Sequence, residues 1–259
     1  MMLIDTHAHL YAKEFDEDRE AVLQEAINVG VKKILLPNID ESSIEGMHAL
    51  CEQFPDVCFP MMGLHPCSVK ANYEEQLATI KAAFQVNKHI AIGEIGIDLY
   101  WDKSLVREQM LAFEAQIKWA KEVGLPIVIH ARDSFDEIFE VVDGLNDERL
   151  TGIFHCFTGT EEQAHKILNY GGFKLGIGGV VTFKNSGLSE VLKNVPLTAL
   201  VLETDAPYLA PVPKRGKRNE SAYVSYIATH LTEVYNCSLA TIAEQTTSNA
   251  LSVFNLTTE

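Results

Sequence analysis

Short apolar runs alternate with amphipathic stretches at a spacing of roughly thirty residues, the rhythm of β/α units around a parallel sheet. Runs rich in Ile, Val, Leu and Phe predict strands near 2–9, 31–38, 57–64, 90–97, 126–131, 151–157, 173–181 and 199–205. Helical periodicity is clearest from Ser104 to Gly124. There Met110, Phe113, Ile117 and Ala120 share a face, and Gly124 followed by Pro126 ends the helix. Gly30, Gly144 and Gly171 give similar stops, and further helices are expected over Ala222 to Tyr235 and Ala240 to Phe254. Eight strands alternating with helices predict an α/β protein with the (β/α)8 TIM-barrel architecture. An open doubly wound sheet is the alternative, but its first strand usually leads into a glycine-rich phosphate loop. Here that position holds His7, Ala8 and His9. Gly176, Gly178 and Gly179 come late, within a strand-like run, and are expected to be close-packing or loop glycines rather than a nucleotide cradle.

The chain has 259 residues, of which 47% are hydrophobic, enough for one substantial core. No Pro/Gly/Ser-rich stretch offers a linker, so one barrel domain over residues 1–259 is expected. The N-terminal MMLIDTHAHL lacks the basic-then-apolar pattern of a secretory signal. No apolar run is long enough to span a bilayer, and a cytoplasmic protein with no membrane association is the expectation. Cys51, Cys58, Cys67, Cys156 and Cys237 are scattered and never form C-x-x-C, which fits reduced thiols. Cys156 adjoins His155, but strand neighbours point to opposite faces, so Cys156 is expected to face the helices. The formal charge of −15 argues against a protein that coats nucleic acid electrostatically. It leaves room for an enzyme that grips a phosphodiester through bound metals and a few local cations.

Acids and imidazoles fall where the expected strands end: His7 and His9 in LIDTHAHL, Glu94 in IAIGEIGID, His130 in PIVIHAR, His155 in TGIFHCF and Asp205 in ALVLETDAP. The C-terminal strand ends are where a (β/α)8 barrel builds its active site. Side chains of these types gathered there would cage one or two divalent metal ions. His7 and His9 would leave the same strand face, and a cation would relieve the repulsion between them. A buried Glu94 requires pairing or a metal, and its two oxygens could bridge two cations. Arg132 is the nearest alternative partner for Glu94. Singly, His130 or His155 is more often a hydrogen-bonded core histidine; two at matching heights on adjacent strands are harder to explain by packing. Asp205 is assigned both to metal and to deprotonating water, with Glu203 as an orienting group or extra base. His65, in MMGLHP, is a candidate for contacting a phosphate oxygen or the leaving group.

In this order and spacing, DTHAHL, GLHP, GEIGIDLYWD, PIVIHAR, FHCFTG and LETDAPYL resemble the TatD family of metal-dependent deoxyribonucleases, a branch of the amidohydrolase-like metal barrels. The resemblance runs from Asp5 to the late TTSNALSVF segment. It implies metal ligands at His7, His9, Glu94, His130, His155 and Asp205, and active-site positions at His65 and Glu203. It also implies one or two divalent cations (magnesium, manganese or zinc) and hydrolysis of DNA phosphodiesters. The DNA is expected to be single-stranded or end-frayed, with no obligate protein partner. Lys214 and Arg215, with Lys217 and Arg218, follow the eighth strand and could hold flanking phosphates. Tyr100 and Trp101 could stack on an unpaired base beside Arg132 at the rim. Two other readings compete. One is an ester or amide hydrolase of the same superfamily, such as a D-aminoacyl-tRNA deacylase. The other is a non-catalytic binding barrel, which should have lost a ligand.

Overall fold

β-Branched and apolar runs form eight short parallel strands, and the computed structural model describes residues 1–258. The strands are β1 (Leu3–Asp5), β2 (Val31–Pro37), β3 (Cys58–Met61), β4 (Ile92–Asp98), β5 (Ile127–Arg132), β6 (Gly152–Phe154), β7 (Phe173–Ile177) and β8 (Leu200–Leu202). Helices follow them in turn: α1 (Arg19–Asn28), α2 (Ile44–Gln53), α3 (Tyr73–Phe84), α4 (Val106–Val123), α5 (Phe135–Leu145), α6 (Glu161–Asn169), α7 (Leu188–Leu192), α8 (Val224–Tyr235) and α9 (Leu239–Phe254). Regular ladders join β1 to β3 and β4 to β8. Single bridges cross the two seams, Met62 to Ile92 and Ala8 to Ala206. Thr6 N–H donates to Leu202 O at 3.0 Å and Gly93 N–H to Met62 O at 3.0 Å, so the strands run in cyclic order as a TIM barrel.

Most strands are shorter than the apolar runs that encode them, but β4 and β5 carry their pairing past Glu94 and His130 to Asp98 and Arg132. Gly124 closes α4 in the left-handed conformation expected of a glycine after a helix (φ 69°). Gly144 does not stop its helix; α5 continues through it to Leu145.

Period-two alternation divides the core. Ile4, Leu35, Met61, Val128, Ile153 and Val201 fill the barrel interior, with Ala250 and Phe254 of α9 packed against them. Leu3, Ile34, Ile127, Ile129, Phe154, Leu200 and Leu202 face the helices. Two of the late glycines pack closely: a Cβ at Gly176 would collide with the Glu203 carboxylate and one at Gly179 with Leu209 O, whereas one at Gly178 would make only ordinary contact. Among the described residues, no helix is long and apolar enough to cross a membrane.

Candidate metal centre

Three site residues lie two positions beyond an interior apolar residue: His130 after Val128, His155 after Ile153 and Glu203 after Val201. The inward face thus passes from an apolar floor to a polar rim. His7 and His9 lie beyond β1, held by the Ala8–Ala206 bridge between them. Asp205 follows β8 with left-handed backbone (φ 58°), which Asp tolerates better than most residues. Its N–H donates to His7 O at 2.9 Å. Beneath them Asp5 is fully buried and accepts from the Thr204 N–H and hydroxyl. Burial pushes its carboxyl up to about 7 against those hydrogen bonds.

Glu94 stands at the centre with its two oxygens divided. Oε2 is 3.1 Å from His7 Nε2 and 3.7 Å from His9 Nε2. Oε1 is 2.8 Å from His130 Nδ1, 3.4 Å from His65 Nε2 and 3.7 Å from His155 Nε2. Asp205 Oδ1 closes one side at 3.6 Å from His9 Nε2, 3.9 Å from His7 Nε2 and 3.8 Å from His155 Nε2. His7 and His9 point their Nε2 atoms at each other, 3.3 Å apart. The His7 and His155 rings stack with centroids 3.4 Å apart. Donor triplets close enough to share one cation include His7, His9 and Glu94, and also His65, Glu94 and His130. Imidazole nitrogens converging on carboxylates fit a divalent metal, since a cation removes the conflict between facing nitrogen lone pairs.

Outer partners set the tautomers. The Tyr11 hydroxyl donates to Pro37 O, so its oxygen receives the Nδ1 proton of His9 and leaves Nε2 bare toward the cage. His130 Nε2 lies 2.8 Å from Asp98 Oδ2, which directs Nδ1 inward. His155 Nδ1 lies 2.9 Å from Glu203 Oε1 without hydrogen-bond alignment; that oxygen also accepts Cys156 N–H. His65 differs: its Nδ1 accepts the Cys67 N–H at 3.1 Å, so Nε2 carries the proton.

Charge in the cage is tightly balanced. Burial opposes ionisation of Glu94, but the fields of His65, His7 and His155 hold its carboxyl well below the usual range. Burial likewise resists charging His130 and His155. The hydrogen bonds of Asp98 and Glu94 lift His130 to about 9, and the fields of Glu203 and Glu94 lift His155 to about 10. His7 is pushed down to about 4 by burial and by His155. In the metal-free cage, protons on His130 and His155 supply positive charge that a dication would replace.

Two expectations are corrected here. Cys156 does not face the helices: β6 ends at Phe154, and the backbone turns left-handed at Cys156 (φ 46°). Its sulfur therefore falls within 4.8 Å of donor atoms of His155 and Asp205. Arg218 is not a free phosphate contact: it pairs with Asp18 at 2.7 and 2.8 Å and donates to Glu14 O. Lys214 lies over the Tyr223 ring and Arg215 over Phe183. Arg132 does not pair with Glu94 but stacks on Tyr100, 3.7 Å from the ring centroid. Tyr100 and Trp101 are 51% and 74% exposed, so one plate of the pair is open to solvent. Beside them a cleft of about 860 Å³ is lined by Tyr100, Arg132, Ser134, Thr158 and Thr160. Sequence reasoning missed Asp98 and Tyr11. The only available signal was an acid two residues past Gly96 and a tyrosine two past His9.

The family model for TatD-related DNases matches residues 4–255. The chain is 41% identical to YabD of Bacillus subtilis (strain 168), named an uncharacterized metal-dependent hydrolase, over 98% of this chain and all of that protein. It is 30% identical to a protein of Erwinia tasmaniensis named 3'-5' ssDNA/RNA exonuclease TatD, over 98% of this chain and all of that one. The crystal structure of YjjV, a TatD homologue of Escherichia coli K12, superposes with a TM-score of 0.92 at 30% identity, covering 98% of both chains. With the cage geometry, these likenesses establish that the chain belongs to the TatD-related DNase family of metal-dependent hydrolases.

Proposed function

We propose that the protein is a nuclease that hydrolyses phosphodiester bonds of DNA, taking single-stranded or end-frayed ends. The division of Glu94 carries this reading: one oxygen serves His7 and His9, the other His130 and His155. A carboxylate so placed can serve two cation positions. His7, His9 and Asp205 would complete one, and His130 and His155 the other. Magnesium, manganese and zinc all suit the nitrogen and oxygen donors. Bound there, a dication supplies Lewis-acid stabilisation of phosphate charge and a more acidic water.

The chain's own groups do the rest. Asp205 stays ionised despite burial, because the surrounding imidazoles of His9, 3.6 Å away, His155 and His7 hold its carboxyl low. It is placed to take a proton from the attacking water. Glu203, fully buried with Oε1 2.9 Å from His155 Nδ1, would act on that ring through its charge. His65 presents Nε2–H and can donate to a phosphate oxygen or the departing sugar oxygen. Arg132 and the Tyr100–Trp101 pair line the approach and suit a phosphate beside an unstacked base. Lys214 and Arg215 would hold a more distant phosphate. The family description and the name of the Erwinia relative favour a nucleic-acid diester over an acyl ester.

The test is incubation with labelled single-stranded DNA, a mononucleotide ester and an acylated tRNA, each with and without chelator. Chelator-sensitive DNA cleavage is expected. Deacylation of the tRNA with intact DNA would move the protein to ester hydrolysis.

A further inference from the structure

Asp98 ends β4 and is 3% exposed. Its two oxygens serve different masters. Oδ2 lies 2.8 Å from His130 Nε2. Oδ1 accepts the N–H of Tyr100 at 3.0 Å, the first turn of the loop that carries Trp101. The backbone of Asp98 is clamped on both sides by one side chain: Gln109 Oε1 accepts its N–H at 2.8 Å, and Gln109 Nε2 donates to its carbonyl at 3.2 Å. Asp98 also sits opposite Arg132 in the β4–β5 ladder, and that guanidinium stacks on Tyr100. One buried carboxylate therefore ties an imidazole of the cage to the aromatic platform beside the cleft.

We propose that Asp98 is a positioning residue with two linked duties: it fixes His130 with its Nδ1 lone pair toward the metal, and it holds the Tyr100–Trp101 loop where substrate must pass. Asp98→Asn separates the duties. The amide oxygen still accepts the Tyr100 N–H, which leaves the amide N–H₂ facing His130 Nε2. That ring nitrogen must then become an acceptor, and the ring proton moves to Nδ1, on the cage side. Asp98→Ala removes both contacts.

The first arm of the test uses metal alone and is independent of the nuclease reading. Zinc or manganese affinity is measured by competition with a chromophoric chelator, alongside thermal unfolding. Asp98→Asn should bind on the order of 10–100-fold more weakly, as for other partners of metal-bound histidines, with its unfolding midpoint nearly unchanged. The second arm, which rests on the nuclease reading, measures anisotropy of a labelled single-stranded phosphorothioate oligonucleotide. Asp98→Ala should weaken its binding further than Asp98→Asn does. Wild-type metal affinity in Asp98→Asn overturns the His130 duty. Equal oligonucleotide affinities in the two variants overturn the loop duty. A wild-type protein that ignores the oligonucleotide refutes the nuclease reading, and the metal arm still decides Asp98.

Discussion

At the N-terminal end of the barrel, His48 of α2 and His89 before β4 bring their Nε2 atoms within 2.9 Å, closer than the 3.3 Å between His7 and His9 at the opposite rim. The environments then diverge. His48 Nδ1 meets the Asn87 amide, and His89 stacks on Phe84 with ring centroids 4.9 Å apart. Glu52 acts on His48 through its field while standing exposed in solvent. At the C-terminal rim the same kind of pair meets Glu94 and Asp205, and each of His9, His130 and His155 has a group outside the cage facing its second nitrogen. Close imidazoles alone make a hydrogen bond. Imidazoles steered onto buried carboxylates present the donors that a cation site requires.

The sharpest way to break this contrast is to neutralise the centre of one pole and the ring of the other. Glu94→Gln keeps shape but removes the charge that both imidazole groups face. Metal-dependent turnover should fall on the order of a thousandfold, the scale of a broken buried charge pair. His89→Gln should leave initial rates on labelled DNA within about twofold, because that ring lies remote from the strand ends where such barrels do chemistry. Asp205→Asn comes next, with a loss of roughly a hundredfold or more if it is the general base. Circular dichroism should show the fold intact in each variant.

Acidity acts on both poles, but the basic flank belongs to the C-terminal one. His130 and His155, raised to about 9 and about 10 without metal, stabilise the fold fully below the ordinary histidine value and lose that contribution as pH rises through 9 and 10. His89 is lowered to about 4 by burial and by His48, so its neutral form is the folded one. The unfolded chain takes up that proton first, and stability is lost as pH falls from about 6.5 toward about 4. Denaturant midpoints across pH should show both flanks for the metal-free protein, and His89→Gln should reduce the acid one in part, since His7 is lowered to about 4 as well, and leave the basic one unchanged. Metal affinity should rise with pH through neutrality, by about tenfold per pH unit for each proton the cation displaces.

Much of the site could be read before any coordinates, because a strand too apolar to tolerate an acid or imidazole unaided announces an exception at its end. Glu94, His130 and His155 are such exceptions, and the structure brings them together. Legibility failed where local rules gave way to tertiary ones. Alternation sent Cys156 outward, yet pairing ends at Phe154 and a left-handed turn swings the sulfur inward. Arg218 looked like a free cation among Lys214, Arg215 and Lys217, but its partner Asp18 lies 200 residues earlier. Asp98 and Tyr11 matter only through what they touch, which no spacing encodes.

The smallest effect concerns the rim. Lys214→Ala with Arg215→Ala should raise KM for DNA several-fold and soften its salt dependence by about one or two ion equivalents, with little change in kcat. An unchanged KM would remove that loop from substrate binding.

The central claim is that the C-terminal cage, and not the other histidine pair, holds the metal. Anomalous diffraction from crystals grown with manganese or zinc tests it most directly. The account predicts density against Glu94, between its oxygens and the imidazoles of His7, His9, His130 and His155. Density at His48 and His89 with none at Glu94 would contradict it.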